Sequence, residues 1–168
     1  SQVTRTNYPH KGQIVTSEMM IGQPGGFPID KSYSLSQSDV PELQSLFEAI
    51  QNKTLPQRLV MAISRINFAS ERIRPEDQLI DLMIAVEALY GGDGKTDLRY
   101  KLGLRCAAYL ETTLESRREI LSFMKKAYDK RSSLVHGSNS KKGLSTEAVV
   151  NELRRIVQVS IKQMITGG

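Results

Sequence analysis

The stretch LIDLMIAVEALY, residues 79–90, is apolar on almost every side when it is written as a helix, and it decides the fold class. A helix without a polar face lies in the middle of a bundle or across an oligomer interface, because it has no side suited to water. Pro75 precedes the stretch, and Gly91 and Gly92 follow it, as expected at the start and the stop of a helix. The stretch therefore predicts a central helix.

Further segments with a helical period lie on both sides of this stretch. In each of them apolar residues recur every three or four positions, which is typical of an amphipathic helix. No repeat of fixed period is present. We therefore predict an all-α fold, a bundle of about five to six helices over residues 39–168. The other predicted helices cover about 40–51, a segment after Thr54 with Pro56 in its first turn, about 98–110, about 115–136 and about 146–165.

Residues 1–38 differ in composition from this helical part. They are rich in Gly, Pro, Ser and Gln, and they contain the turn cluster GQPGGFP at 22–28, which no helix would tolerate. The preceding segment GQIVTSEMMIG, 12–22, is compatible with a strand or a hairpin, although its alternation is poor. We predict a non-helical N-terminal arm, packed on the helical domain or left over from a preceding domain.

The overall composition limits the possible classes of protein. A chain of 168 residues with 39% apolar and 24% charged residues is an ordinary globular domain with a core of its own. No apolar run approaches the length that a membrane span needs, so we expect no membrane partner. The formal charge of +5 and the pI of about 9.4 are compatible with a nucleic-acid partner.

The chain contains a single cysteine, Cys106, which excludes an internal disulfide and a zinc site built from cysteines. We predict neither a metal nor another cofactor. The opening SQVTRTNYPH has no signal peptide and no initiator methionine. We therefore expect a processed chain or an excised piece of a longer one, and a cytoplasmic location.

Glu87 is the exceptional residue of the central helix. An ionised carboxylate in apolar surroundings costs several kcal/mol unless a cation or good donors meet it. We predict that Glu87 is a buried partner for a basic group on a neighbouring helix, with Arg105 and Arg131 as candidates. The alternative is that Glu87 points outward through a gap in the bundle.

The segment YDKRSSLVHGS, 128–138, contains the second unusual feature. Arg131 continues the apolar face formed by Ile120, Met124 and Ala127, because the spacings alternate between four and three. A guanidinium cannot lose its proton, so it must meet a carboxylate, a phosphate or water there. His136 lies five positions further on, roughly 140° around an ideal helix, so the two residues can flank one cleft without touching.

The chemistry of this pair suits acid–base catalysis. The C-terminal end of the helix dipole favours the imidazolium and Arg131 opposes it, so His136 can act as an acid or a base near neutral pH. The spacing alone is weak evidence, because such a pair often occurs by chance. The simpler interpretation is an arginine that bridges to Glu87 and a histidine that caps a helix.

Three segments resemble the HEPN superfamily, and specifically the Apea-like HEPN domains. They are DLMIAVEALYG (81–91), YKLGLRCAAYLE (100–111) and KAYDKRSSLVHG (126–137), in this order. The resemblance covers roughly residues 40–165. It implies a helical bundle that dimerises so that two Arg-x4–6-His motifs face each other, and it maps this motif onto Arg131 and His136 and the acidic helix position onto Glu87.

The resemblance also implies an activity. Active members of the family are metal-independent endoribonucleases of toxin–antitoxin and antiviral defence systems, so we expect RNA, a homodimer and an antitoxin or flanking sensor domain as partners. The 2′-hydroxyl of RNA would be the nucleophile, and two copies of His136 would act as base and acid, leaving a 2′,3′-cyclic phosphate. Arg131 would hold the phosphate. Ser132, Tyr128, Asp129 and Arg105 are the expected supporting residues, and the expected RNA-binding residues are Lys125, Lys126, Lys130, Lys141 and Lys142.

Two other functions remain open at this point. The first is a non-catalytic HEPN module that dimerises and binds RNA or a nucleotide within a larger protein, with Arg131 as a structural partner of Glu87. The second is a basic DNA-binding repressor, which lacks a convincing helix-turn-helix. Ser132 stands where active HEPN members often have Asn, Asp or His, and its hydroxyl can still donate a hydrogen bond to phosphate.

Overall fold

The chain has two structural units, Ser1–Ser36 and Gln37–Gly168. The computed structural model describes residues 3–10, 13–20, 36–52, 54–92, 97–136 and 144–167. In the first unit, strands β1 (Val3–His10) and β2 (Gln13–Met20) pair antiparallel. This hairpin includes most of the segment for which the sequence allowed a strand or a hairpin, and the turn cluster at 22–28 lies outside the described residues.

The second unit is helical, as the periodicity predicts. A short 3-10 helix at Gln37–Asp39 leads into six α-helices within the described ranges, which confirms the all-α prediction for this part of the chain. The helices are α1 (Val40–Asn52), α2 (Gln57–Glu71), α3 (Pro75–Tyr90), α4 (Leu98–Leu110), α5 (Leu114–Val135) and α6 (Thr146–Thr166). None of them has the length and hydropathy that crossing a membrane requires.

The ends of the helices follow from local sequence chemistry. Thr113 and Ser145 cap α5 and α6, since their side-chain oxygens accept hydrogen bonds from backbone N–H groups three residues later, at 3.2 and 3.1 Å. Pro56 directly precedes α2 instead of lying in its first turn. Gly167 ends α6 with a φ of 94°, a left-handed conformation that glycine adopts without steric cost.

Helix α3 is the central helix, and it contacts α2, α4, α5 and α6. Buried residues lie on nearly all of its sides, so the prediction from its apolar sequence is confirmed. Removing these side chains from water supplies much of the driving force for folding, at about 25 cal/mol per Å² of apolar surface. The buried residues of α3 are Leu79, Asp81, Leu82, Met83, Ala85, Val86, Leu89 and Tyr90.

Helix α5 carries the candidate site, and its position depends on close packing against α4. A Cβ atom at Gly103 of α4 would lie 2.8 Å from Leu121 Cδ1 and 3.3 Å from Met124 Cβ, so the glycine allows the two helices to approach. The buried residues of α5 are Ile120, Met124 and Ala127. They form the inward face that leads to Arg131 one turn later.

Candidate functional site

Arg131 lies on the inward side of α5, as its spacing predicts. Its side chain is half-buried, and its Nε atom is buried without a hydrogen-bond partner among the described residues. A buried N–H group that lacks an acceptor costs about 1–3 kcal/mol, so native proteins leave few of them unpaired. This guanidinium therefore has unused donor capacity next to the core.

His136 directly follows the last residue of α5. Its backbone N–H donates to the Ser132 carbonyl at 3.0 Å, which continues the helical pattern by one residue. Its side chain is exposed to solvent, whereas Arg131 is half-buried. The structure thus gives the two motif residues different environments: a guanidinium partly in the core and an imidazole that a substrate can reach.

The expected ion pair between Glu87 and a neighbouring arginine is not formed. Glu87 is half-buried, and within the described ranges its carboxylate takes part in no salt bridge or side-chain hydrogen bond. Arg105 instead donates through Nη1 to the backbone carbonyls of Tyr90, at 2.8 Å, and Gly91. These carbonyls lie at the C-terminal end of α3, where a cation is favoured by the helix dipole.

The buried carboxylate of α3 is Asp81, which the sequence analysis did not single out. Asp81 is 4% exposed, and two arginines meet it: Arg65 Nη1 lies 3.1 Å from Oδ1, and Arg72 Nε lies 3.1 Å from Oδ2. Arg65 belongs to α2, and Arg72 is the first residue after this helix. The two ion pairs therefore connect the end of α2 to the side of α3. The role of Asp81 is therefore structural.

Asp129, an expected supporting residue, pairs with Arg99 of α4. Both carboxylate oxygens accept a hydrogen bond from this guanidinium, Oδ1 from Nε at 2.6 Å and Oδ2 from Nη2 at 2.5 Å. The Asp129 carboxylate raises the pKa of Arg99 by accepting these bonds. Asp129 is thus engaged with α4 and does not neutralise Arg131.

The other two supporting residues expected on α5 are partly buried. Tyr128 and Ser132 are half-buried, and Tyr128 packs against the core.

The basic residues around the motif have different surroundings. The Lys125 ammonium lies 5.2 Å from the centre of the Tyr100 ring, which is a cation–π distance. Lys130 Nζ donates to the Leu144 carbonyl at 2.7 Å, and Lys126 is exposed. Lys141 and Lys142 lie outside the described residues. Among the three described lysines, Lys126 is therefore the exposed one without a contact of this kind.

Possible metal ligands and the cysteine thiol can be located in the described part of the chain. No group of three or more His, Cys, Asp or Glu residues there is arranged to hold a metal ion. Cys106 is buried, and burial raises the pKa of its thiol to about 12. A thiol of this kind is neither nucleophilic nor a good metal ligand at neutral pH.

Comparisons with protein-family models, curated proteins and solved structures found no match to this chain. The resemblance to HEPN domains therefore depends on the three quoted segments alone.

Proposed function

We propose that this chain is a metal-independent endoribonuclease of the HEPN type, acting in toxin or antiviral defence. Arg131 and His136 form its site, and the site is completed by the same residues of a second copy of the chain. The observation that carries the proposal is that the half-buried guanidinium of Arg131 has no hydrogen-bond or ion-pair partner in the described ranges.

The environment of Arg131 favours an external anion as its partner. If Arg131 had a purely structural role, Glu87 would neutralise its charge, but the two side chains form no ion pair. Asp129, two positions earlier, is occupied by Arg99. A permanently charged guanidinium with free donors binds phosphate well, because its planar N–H groups match two phosphate oxygens at once. RNA supplies such a phosphate.

The exposure of His136 supports an acid–base role. An imidazole at the end of α5 is open to solvent, so an RNA 2′-hydroxyl or 5′-oxygen can approach within hydrogen-bonding distance of it. One imidazole removes the proton of the 2′-hydroxyl and a second one protonates the leaving oxygen. A single protomer has only His136 and His10, which is why the proposal includes a homodimer.

The direct test is cleavage of one labelled single-stranded RNA by purified protein in EDTA. We expect cleavage with 2′,3′-cyclic phosphate ends, and a loss of about 10²–10⁴ in rate for His136→Ala, the usual contribution of general acid–base catalysis. His10→Ala is the matched control, because it removes the other histidine of the chain, and it should cleave like wild type. Equal cleavage by wild type and His136→Ala would indicate a contaminating nuclease and reject the assignment.

A mixing experiment tests the composite site. If base and acid come from two protomers, a dimer of one wild-type and one His136→Ala chain is inactive. Adding the variant in excess and allowing subunits to exchange should then suppress wild-type cleavage almost completely. Activity that falls only in proportion to the wild-type fraction would contradict the shared site. RNA binding by wild type without any cleavage would favour the non-catalytic module.

A further inference from the structure

A cleft in the helical unit lies apart from Arg131 and His136. It has a volume of about 530 Å³ and is formed by the start of α2, the end of α3, the middle of α4 and the end of α6. Small-molecule sites usually measure about 300–1,000 Å³, so this cleft has the size of a ligand site. Neither motif residue lines it, whereas Arg105, which the sequence analysis gave as a supporting residue of the motif, does.

The charge in the cleft has one sign. Arg58 and Arg105 line it, and no carboxylate does so among the described residues. Arg58 is exposed in the first turn of α2 and has no hydrogen bond or ion pair in the described part of the chain. Two guanidinium groups without an acidic neighbour favour an anion at this position.

The guanidinium of Arg105 is anchored through one of its nitrogen atoms. Its Nη1 atom donates to the carbonyls of Tyr90 and Gly91, and its Nε and Nη2 atoms have no partner in the described ranges. Gly92 has a φ of 64°, which favours glycine, and a Cβ atom there would lie 2.6 Å from Arg105 Nη1, so a larger residue would displace this guanidinium. The remaining N–H groups are therefore preorganised to bind a ligand.

The rest of the cleft is apolar and aromatic. Leu59 and Leu89 are buried in its wall. The Tyr109 ring is 42% exposed and meets the Tyr90 ring edge-on, with centroids 6.0 Å apart. The Tyr109 and Gln163 side chains carry polar groups without partners among the described residues. A ligand that matches these surfaces has an anionic head and an apolar or aromatic body.

We propose that this cleft is a binding site for a small organic anion, whose phosphate or carboxylate head is held by Arg58 and Arg105 and whose apolar body lies against Tyr109 and Leu89. Phosphate and carboxylate share the acceptor geometry that a guanidinium recognises. The experiment below therefore uses one probe of each kind to distinguish a phosphate from a carboxylate ligand.

The test is an NMR titration of the full chain with four probes: 1-naphthyl phosphate, 1-naphthoate, 1-naphthol and inorganic phosphate. We expect saturable shifts at millimolar concentration for naphthyl phosphate, naphthoate or both, centred on Leu59, Leu89, Tyr109 and Gly167. Whichever of the two binds more tightly identifies the head group. Naphthol and inorganic phosphate should each bind about tenfold more weakly, because naphthol lacks the anionic head and inorganic phosphate lacks the apolar body.

Arg58→Gln is the informative variant, since the residue is exposed and its loss leaves the core intact. We expect it to weaken binding of the better probe about tenfold. Arg74→Gln removes the same charge before the opposite end of α3 and should leave binding unchanged. The proposal is rejected if neither naphthyl anion shifts these residues, if naphthol or inorganic phosphate binds as well as the better anion, or if the two variants behave alike.

Discussion

Arg99 and Asp129 form a two-point ion pair that joins α4 to α5, with N–O distances of 2.6 and 2.5 Å. Asp129 lies two residues before Arg131, and it is the nearest carboxylate to Arg131 along the described part of α5. Because Arg99 holds this carboxylate, the negative charge closest in sequence to the motif arginine is already neutralised. Because residues two apart on a helix face different sides, this pair joins α4 to α5 on one side of α5 while Arg131 lies on the inward side.

This relationship leads to the first prediction. Arg99→Gln should weaken RNA binding severalfold, because it removes one positive charge and leaves the exposed Asp129 carboxylate unpaired on α5. Both side chains are about half exposed, 47% and 54%, so the change in melting temperature should be small. The double variant Arg99→Gln/Asp129→Asn restores the net charge and should recover most of the affinity. Fluorescence anisotropy with a labelled RNA measures both effects, and a double variant as weak as Arg99→Gln would contradict this account.

The second prediction concerns Asp81. Asp81→Asn should lower the free energy of unfolding by about 2–4 kcal/mol, because it leaves the guanidinium groups of Arg65 and Arg72 without their shared carboxylate next to the core. Glu87→Gln is the matched control on the same helix. It should change stability by less than about 0.5 kcal/mol, since Glu87 has no partner to lose in the described ranges. Urea unfolding measures the free energy of unfolding of the two variants. Equal unfolding midpoints would contradict the structural role of Asp81.

The contrast between Asp81 and Glu87 shows where sequence reasoning stops. The helix bounds and the inward position of Arg131 were predictable, because periodicity and capping are local signals. Both acidic residues occur in one helix that is apolar all round, six positions apart. Nothing local indicates which of them faces arginines, because Arg72 reaches Asp81 only through the extended backbone that ends α2. The partner of a buried charge is set by tertiary packing.

The cleft beside Arg58 was unpredictable for the same reason. Its walls come from four helices that are far apart in the sequence. Arg58 and Arg105 carry no motif that would connect them. Only Gly92, the second residue after the central helix, gives a local signal, and together with Gly91 it predicts no more than a helix stop. Its positive φ and its contact with Arg105 show that the glycine also makes space for a guanidinium.

The third prediction concerns a polar contact inside the core. Tyr90 donates its hydroxyl proton to Ser160 Oγ at 2.6 Å, and Ser160 donates to the Ile156 carbonyl at 2.7 Å. Ser160→Ala should cost about 1–3 kcal/mol of stability, because it removes the hydroxyl acceptor of the buried Tyr90 side chain. Adding Tyr90→Phe should cost less in this background than in wild type, since the unpaired hydroxyl is removed. A double-mutant cycle by urea unfolding measures the difference, and strictly additive effects would show that the two residues are not coupled.

The fourth prediction is a pH dependence of stability through Cys106. Burial raises the pKa of this thiol to about 12 in the folded chain, against about 8.5 in an unfolded one. The folded state therefore favours the protonated thiol, so its contribution to stability is complete below about pH 8.5 and is lost as the pH rises toward 12. Between about pH 7 and 9.5, wild type should lose more stability than Cys106→Ala. Urea unfolding at a series of pH values measures the free energy of unfolding of both proteins. Parallel curves of this free energy against pH would contradict the prediction.

The last prediction separates the two interpretations of Arg131. If Arg131 has no structural partner, Arg131→Met should stabilise the free protein by about 1 kcal/mol, because it replaces an unpaired buried donor with an apolar side chain of similar length. The same variant should lose RNA binding and cleavage. If Arg131 were a structural partner of Glu87, Arg131→Met would instead destabilise the fold, and Arg131→Met/Glu87→Gln would recover the loss. Thermal melts of both variants, together with anisotropy on the labelled RNA, measure stability and function in the same samples. A less stable Arg131→Met protein with normal RNA affinity would assign the arginine to the core and remove the main support for the nuclease.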